Sequence, residues 1–291
     1  MGGHVDAPPP EAKPRQGGPE VSTQSLFRLD RRSIIVTGGI GGIGTKATEA
    51  ILQSGGDAVI LDRYEKPLQD VWNFWQDALD ACAKSNGSSI LYRSCDVTSE
   101  ESVRQALGTL REELRHPIRG LLACVGQSDT GPSITYPPND FRRLLEINVM
   151  ATFIAAQAVA RAMQGADHSG SMVLIASMSG HVVNQGADSS AYNSAKSAVL
   201  QLGRSLASEW GARRDMPLIR VNTLSPGYVR TAATEDALKH DDMEARWNGQ
   251  NMLHRLCFPD ELRGPIIYLL SDASSFMTAT DLRIDGGHCA W

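Results

Sequence analysis

The sequence predicts one doubly wound α/β domain: a single parallel sheet with helices on both faces. Three observations predict it. Short β-rich runs alternate with longer amphipathic segments from Ser33 onward, a glycine-rich turn joins the first run to the first helical segment, and no internal repeat or second Pro/Gly linker divides the chain. With 291 residues, 42% hydrophobic and 21% charged, the chain is long enough to bury a sizeable core and has an ordinary globular balance.

The residues before Ser33 read differently. Met1–Glu20 carries Pro8, Pro9, Pro10, Pro14 and Pro19 with almost no large apolar side chain, so it cannot bury enough surface to offset its ordering entropy. A disordered tail is expected over residues 1–28 and the domain over 29–291. Strands are expected at Ser33–Thr37, Ala58–Leu61, Ser89–Tyr92, Gly120–Cys124, Ser171–Ala176, Ile219–Leu224 and Asp281–Ile284. Helical periodicity occupies Glu101–Glu113, Asp140–Met163, Ala191–Trp210 and Glu261–Leu270 among the connections. Thr98-Ser99-Glu100-Glu101 reads as a capping box, with Thr98 and Glu101 satisfying each other's free amides.

Several classes are disfavoured. A formal charge of −5 offers no positive excess to track phosphates, and no run of about 18 apolar residues occurs, so no nucleic-acid or membrane partner is expected. The tail has no apolar h-region, Asp6 stands where a myristoylation motif takes Ser or Thr, and Cys289 lies wrongly for a prenylation box. Cys82, Cys95, Cys124, Cys257 and Cys289 are widely spaced without a CxxC pair, which suits reduced thiols in a cytoplasmic protein. The scattered histidines form no HExxH motif or close ligand pair, so no metal is expected.

Thr37-Gly38-Gly39-Ile40-Gly41-Gly42-Ile43-Gly44 follows the first strand and opens a helical pattern. Glycines there permit tight backbone angles and let a pyrophosphate approach the helix N-terminus, with Gly38, Ile43 and Gly44 as contact positions. Alone, such a turn is also a plain tight connection. The second strand ends at Asp62, whose carboxylate would accept from both ribose hydroxyls of an adenosine and repel a 2′-phosphate, favouring NAD. Arg63 could instead pair with that phosphate, which leaves NADP open, or lie solvated at the surface. Asp96-Val97 closes the third strand, where the carboxylate would meet the adenine amino group or stabilise the next helix.

Tyr192-Asn193-Ser194-Ala195-Lys196 places a phenol and an ammonium four residues apart, on one helix face. A phenol near pKa 10 is a poor neutral-pH catalyst, and a nearby Lys⁺ favours the phenolate. The helix follows a strand ending near Ser177, and Asn148 interrupts the apolar run of the preceding long helix.

On these motifs the sequence resembles the short-chain dehydrogenase/reductase family over residues 31–291: the Thr37–Gly44 turn, Asp96-Val97-Thr98, Asn148, Ser177, Tyr192 with Lys196, Ser225-Pro226-Gly227-Tyr228-Val229-Arg230-Thr231, and Ile284-Asp285-Gly286-Gly287. The resemblance implies a Rossmann fold and the following roles. Tyr192 would give a proton to a carbonyl oxygen as hydride arrives, and remove it in reverse. Lys196 would bind the nicotinamide ribose and depress the Tyr192 pKa. Ser177 would polarise the carbonyl, Asn148 would position a relay water, and Pro226, Gly227, Val229 and Thr231 would hold the nicotinamide end. Two departures stand out. Ala123-Cys124-Val125-Gly126 replaces the family's Asn-Asn-Ala-Gly, so only Gly126 survives to approach the cofactor, and the long Ser177–Tyr192 loop makes Ser179 a rival to Ser177.

Ser177-Met178-Ser179-Gly180-His181-Val182-Val183-Asn184 and the ending Ile284–Trp291 are similar to fungal polyol dehydrogenases and ketose reductases of the mannitol, sorbose and arabinitol type. That likeness implies His181, Asn184 and Gln185 as contacts to substrate hydroxyls; the other reading of each is a solvent-facing loop. Ala232–Phe258, with Met243, Trp247, Met252 and Leu253, is expected to form a flap over the substrate, and its aromatic and Met content also suits a larger, flatter ketone. A non-catalytic dinucleotide sensor is the alternative from another class, but a sensor has no need of Tyr192, Lys196, Ser177 and Asn148 together. The family also implies a homo-oligomer, dimer or tetramer, built on the two long helices beside the site.

Overall fold

The structure, a computed structural model, describes residues 21–291 except 83–86, 111, 212–215 and 241. Residues 1–20 of the expected tail lie outside the described residues. Within 21–28 the chain is mostly exposed. Thr23–Leu26 (α1) make one helical turn, with Ser22 Oγ accepting from the Ser25 N–H at 3.3 Å, and the Phe27 ring lies 6.3 Å from that of Tyr268.

Seven parallel strands run β1 (Ser33–Thr37), β2 (Asp57–Asp62), β3 (Ile90–Ser94), β4 (Ile118–Ala123), β5 (Gly170–Ile175), β6 (Ile219–Pro226) and β7 (Asp281–Ile284), in the spatial order β3-β2-β1-β4-β5-β6-β7. The order reverses between β1 and β4, and the crevice outside their carboxyl ends is where such sheets bind ligands. Every residue of β1 and β2 is buried, because helices cover both faces. Alternation sorts them: Ile34, Val36, Ala58 and Ile60 face one core and Ile35, Val59 and Leu61 the other. The first core is closed by α2 (Gly42–Gln53), α3 (Gln69–Cys82) and α10 (Arg263–Leu270). The second is closed by α4 (Glu100–Leu110), α6 (Ala151–Gly165) and α7 (Ser190–Trp210). Fully burying an aliphatic side chain is worth about 1.5–3 kcal/mol, so these two faces carry most of the stability.

Three expectations about helices need correcting. The Thr98–Glu101 capping box does not form. Ser99 Oγ instead accepts from the Ser102 N–H (3.2 Å), Thr98 bonds Asp96, and Glu101 turns to Arg104. The helix expected at Glu101–Glu113 ends at Leu110, as α4. The helix expected to run unbroken from Asp140 to Met163 comprises α5 (Pro138–Leu145), a π-helical turn (Glu146–Met150) and α6. Its cause is local: Asn148 Nδ2 donates to the Leu144 carbonyl (2.9 Å), the acceptor its own backbone would take in an α-helix. By length and composition Pro138–Gly165 also suits a membrane span, yet Ala151, Ala155, Val159 and Met163 are buried in the second core.

The segment expected to form a flap carries α8 (Ala232–Leu238) and α9 (Met243–Gly249). Beneath the sheet's other end, the Arg220 guanidinium is buried and makes no ion pair among the described residues. It donates to Ser274 Oγ (2.9 Å) and to the carbonyls of Leu269 (3.2 Å), Ser271 (2.9 Å) and Met277 (3.1 Å), tying the end of α10 to β6.

Candidate active site

The glycine-rich turn lies in the crevice. Gly38 has φ +68°, which a side chain rarely adopts, and a Cβ on Gly44 would meet the Gly38 carbonyl at 2.4 Å, so backbone geometry demands glycine at both. The turn delivers the amides of Gly42, Ile43 and Gly44 to the start of α2, where no side chain caps them. Such an end suits an anion. A Cβ on Gly42 would lie 2.8 Å from Thr231 Cγ2, so the turn meets the segment that begins at Pro226. There the Gly227 N–H bonds the Ile284 carbonyl (2.9 Å), Val229 bridges Cys257, and Thr231 caps α8.

Asp62 does more than its spacing indicated. Oδ2 accepts from the Ile40 N–H (3.1 Å) inside the turn and Oδ1 from the Arg63 N–H (2.8 Å), so the acid shapes the loop it neighbours. The Arg63 guanidinium lies over the Tyr64 ring, 5.2 Å from its centroid. Asp96 Oδ1 accepts from the Thr98 N–H (3.0 Å) and hydroxyl (2.7 Å), holding the chain after β3, with Val97 buried behind it.

Asn148, Gly126 and Lys196 come together. A Cβ on Gly126 would lie 3.0 Å from Asn148 Oδ1 and 3.2 Å from Lys196 Nζ, so both polar tips converge on a space that only glycine leaves open. Asn148 clamps the loop after β4: Oδ1 accepts from the Gln127 N–H (3.3 Å) and Nδ2 donates to the Gln127 carbonyl (2.9 Å). Lys196 is buried, with Nζ donating to the Ile175 carbonyl (3.0 Å) and lying 5.7 Å from the Tyr192 ring centroid. Burial pushes its pKa down to about 8.

The Tyr192 phenol faces the Ser177 side chain, whereas Ser179 contributes its backbone N–H to Ser177 Oγ (3.1 Å). Of the two serines, then, Ser177 faces the tyrosine. The expected depression of the Tyr192 pKa is not seen: burial raises it, and the nearby Ser177 side chain only partly offsets this. The ammonium is itself desolvated.

Of the three residues expected near substrate, His181 pairs with Asp281. The 3₁₀ turn Met178–Gly180 carries it over the sheet edge, where Nε2 lies 2.8 Å from Asp281 Oδ2. Asn184 is buried, with Nδ2 donating to Tyr228 Oη (3.3 Å). The Gln185 carbonyl accepts from Gln250 Nε2 (3.3 Å), linking the loop to the flap. Spacing gave no sign of the partnership among Tyr228, Trp247 and His288: Tyr228 stacks on Trp247 (4.3 Å, 4°) and meets His288 edge-on (5.7 Å). Only adjacency to the Pro226-Gly227 segment marked Tyr228.

An open-backbone cradle at the strand-order reversal, abutting a phenol, a hydroxyl and a buried ammonium, defines a dinucleotide-dependent oxidoreductase. The model of the family described as enoyl-(acyl carrier protein) reductase matches residues 38–288. The chain is 50% identical over 290 residues to a short-chain dehydrogenase/reductase, notP′, of Aspergillus versicolor, covering 99% of this chain and 98% of that one. It is 33% identical over 271 residues to D-arabinitol 2-dehydrogenase (ribulose-forming) of Candida tropicalis, covering 91% and 95%. Among solved structures, NADPH-dependent 3-quinuclidinone reductase of Rhodotorula rubra superposes with a TM-score of 0.81 at 32% identity, covering 95% and 99%. The chain belongs to the short-chain dehydrogenase/reductase family, and is an NAD(P)-dependent oxidoreductase that interconverts an alcohol and a ketone.

Proposed function

We propose that the protein interconverts a polyol and its ketose, with Tyr192 as the acid and base. The observation that carries this is the Tyr192 phenol facing the Ser177 side chain: two hydroxyls stand where one substrate oxygen could receive both, which suits a carbonyl. In reduction Tyr192 Oη gives its proton to that oxygen while Ser177 holds and polarises it; in oxidation Tyr192 takes the proton from the alcohol. Lys196, fixed by the Ile175 carbonyl, binds the ribose hydroxyls, and Asn148 orders the water path to it. Gly38, Ile43 and Gly44 would hold the pyrophosphate, Asp62 the adenine ribose, Asp96, Val97 and Gly126 the adenosine side and the middle, and Pro226, Gly227, Val229 and Thr231 the nicotinamide end. When bound, the nicotinamide supplies or accepts the hydride.

The polyol assignment draws on relatives named for arabinitol, galactitol, sorbose and mannitol. A larger ketone is the second reading, favoured by Met252 and Leu253 standing partly exposed on the flap side. For the cofactor, Asp62 favours NAD(H), while relatives named for NADH and a neighbour named for NADPH support both. Five free cysteines support a cytoplasmic location, and the exposed Met150 beside α6 supports a homo-oligomer.

The test is turnover of D-ribulose, L-sorbose, xylulose and an aromatic ketone with NADH and with NADPH, by wild type and Tyr192→Phe. One ketose pair is expected to turn over, and Tyr192→Phe to lose at least about 100-fold in kcat with cofactor affinity kept. Retained turnover in that variant refutes the assigned acid.

A further inference from the structure

His181 and Asp281 lie 100 residues apart in the chain, and the bond between them joins the turn after β5 to the first residue of β7. Asp281 is in register with Thr223 of β6, so its side chain shares one face of the sheet with those of Thr223 and Ser225. Its Oδ1 accepts from Thr223 Oγ1 (2.6 Å) and Ser225 Oγ (2.8 Å), and its Oδ2 lies 2.8 Å from His181 Nε2.

The donors and acceptors of this group fit in one way. A carboxylate only accepts, so the imidazole presents Nε2–H to it. Each hydroxyl has a single proton and spends it on Oδ1, which leaves Ser225 Oγ, 3.4 Å from Nε2, an acceptor toward the ring. The Asp281 side chain is 9% exposed. Three donors thus hold a nearly buried acid in one orientation, and bonds to a carboxylate are shorter and stronger than neutral ones.

What this acid holds is the turn that starts at Ser177. Ser177 and His181 flank the 3₁₀ turn Met178–Gly180, in which the Gly180 N–H donates to the Ser177 carbonyl (2.9 Å) and the His181 N–H to the Met178 carbonyl (2.9 Å). The Ser179 N–H donates to Ser177 Oγ (3.1 Å), so the direction of that hydroxyl follows the turn. On its other side the turn lies against α7. The Gly180 carbonyl accepts from Ser197 Oγ (2.8 Å), and a Cβ on Gly180 would stand 2.8 Å from the Lys196 carbonyl carbon. The turn is therefore wedged between the helix that carries Tyr192 and the sheet, and His181 ties it to the sheet.

We propose that His181 is a positioning residue for the reaction: by donating to Asp281 it fixes the turn so that the Ser177 hydroxyl meets the substrate carbonyl opposite Tyr192. The imidazole then serves the serine rather than a substrate hydroxyl. The proposal rests on Ser177 holding the carbonyl, and adds to it the device that aims that hydroxyl.

The experiment measures kcat and KM with whichever of D-ribulose, L-sorbose, xylulose and acetophenone wild type reduces fastest. The enzymes are wild type, His181→Leu, His181→Gln, Thr223→Val, Ser177→Ala and the double variant His181→Leu/Ser177→Ala, with NAD(P)H fluorescence as the check on folding. His181→Leu, which keeps bulk but no donor, is expected to lose about tenfold in kcat with KM within about twofold. His181→Gln, which keeps an N–H donor of similar reach, is expected to recover most of that loss. Ser177→Ala is expected to lose about 100-fold, and adding His181→Leu to cost less than about twofold more, because residues acting through one group are not additive. Thr223→Val removes one donor from Asp281 and is expected to lower kcat by a smaller factor; it carries the test if His181→Leu fails to bind cofactor. Three results each overturn the positioning role while leaving Ser177 its own: unchanged kcat in the deciding variant, no recovery in His181→Gln, or the full tenfold loss persisting in the Ser177→Ala background. Wild-type kcat in Ser177→Ala, or no turnover by wild type with any of the four ketones, overturns the reading of Ser177 and the positioning role together.

Discussion

Tyr192 and Lys196 are joined by helical spacing, but their electrostatics come from burial. Desolvation holds the Lys196 pKa near 8, below the ordinary 10.5, so in the folded state Lys196 sheds its proton as pH rises through about 8 while the unfolded chain keeps it until about 10.5. The unfolded state therefore binds more protons between these values, and Lys196 makes the protein relatively more stable as pH rises through that window. Measured as Tm, wild type is expected to gain on Lys196→Met between pH 8 and 10; a constant gap would show an unperturbed lysine. Tyr192, raised by burial, acts oppositely above its ordinary value near 10, which confines the measurement to the lower part of the window. At Gly126 the expected outcome concerns geometry. Gly126→Ala must push Asn148 Oδ1 or Lys196 Nζ aside, and an error of about 1 Å in a positioned group costs up to about 100-fold in rate. A loss of that order in kcat, with the fold intact by circular dichroism, is expected.

Among the elements, capping and the π turn show how a local hydrogen bond overrides a pattern. Thr98 and Glu101 have capping-box spacing, yet Asp96 captures the Thr98 hydroxyl and Ser99 takes the cap. Periodicity likewise carried a continuous helix through Asn148, because a π turn inserts no change in hydropathy. Both are competitions between hydrogen-bond partners that a hydrophobic pattern does not register. At the β6–α10 junction Arg220 satisfies one hydroxyl and three carbonyls. Arg220→Met would leave these acceptors buried and unmade, at a cost of about 3 kcal/mol. Chemical denaturation should show that loss in the midpoint; a change under about 0.5 kcal/mol would mean that the acceptors find other donors.

Across the whole molecule, cofactor preference is a binding equilibrium coupled to folding. A dinucleotide that binds only the folded state at 100 times its Kd adds about 2.7 kcal/mol. NADH is expected to raise Tm more than equimolar NADPH, because Asp62 stands beside the turn; the reverse order would show Arg63 outweighing it. The sequence by itself determined the doubly wound sheet, since strand and helix periods, the glycine turn and their order leave few other ways to bury two faces. It also placed Tyr192, Lys196, Ser177 and Asn148, whose spacings are properties of the chain. Only the tertiary structure decided that His181 faces Asp281, that Asp62 bonds the glycine turn, and that Asn184, Tyr228, Trp247 and His288 share one cluster. Those residues lie on separate connections, and side-chain contacts between distant connections follow from packing and hydrogen-bond satisfaction, which no period along the chain encodes.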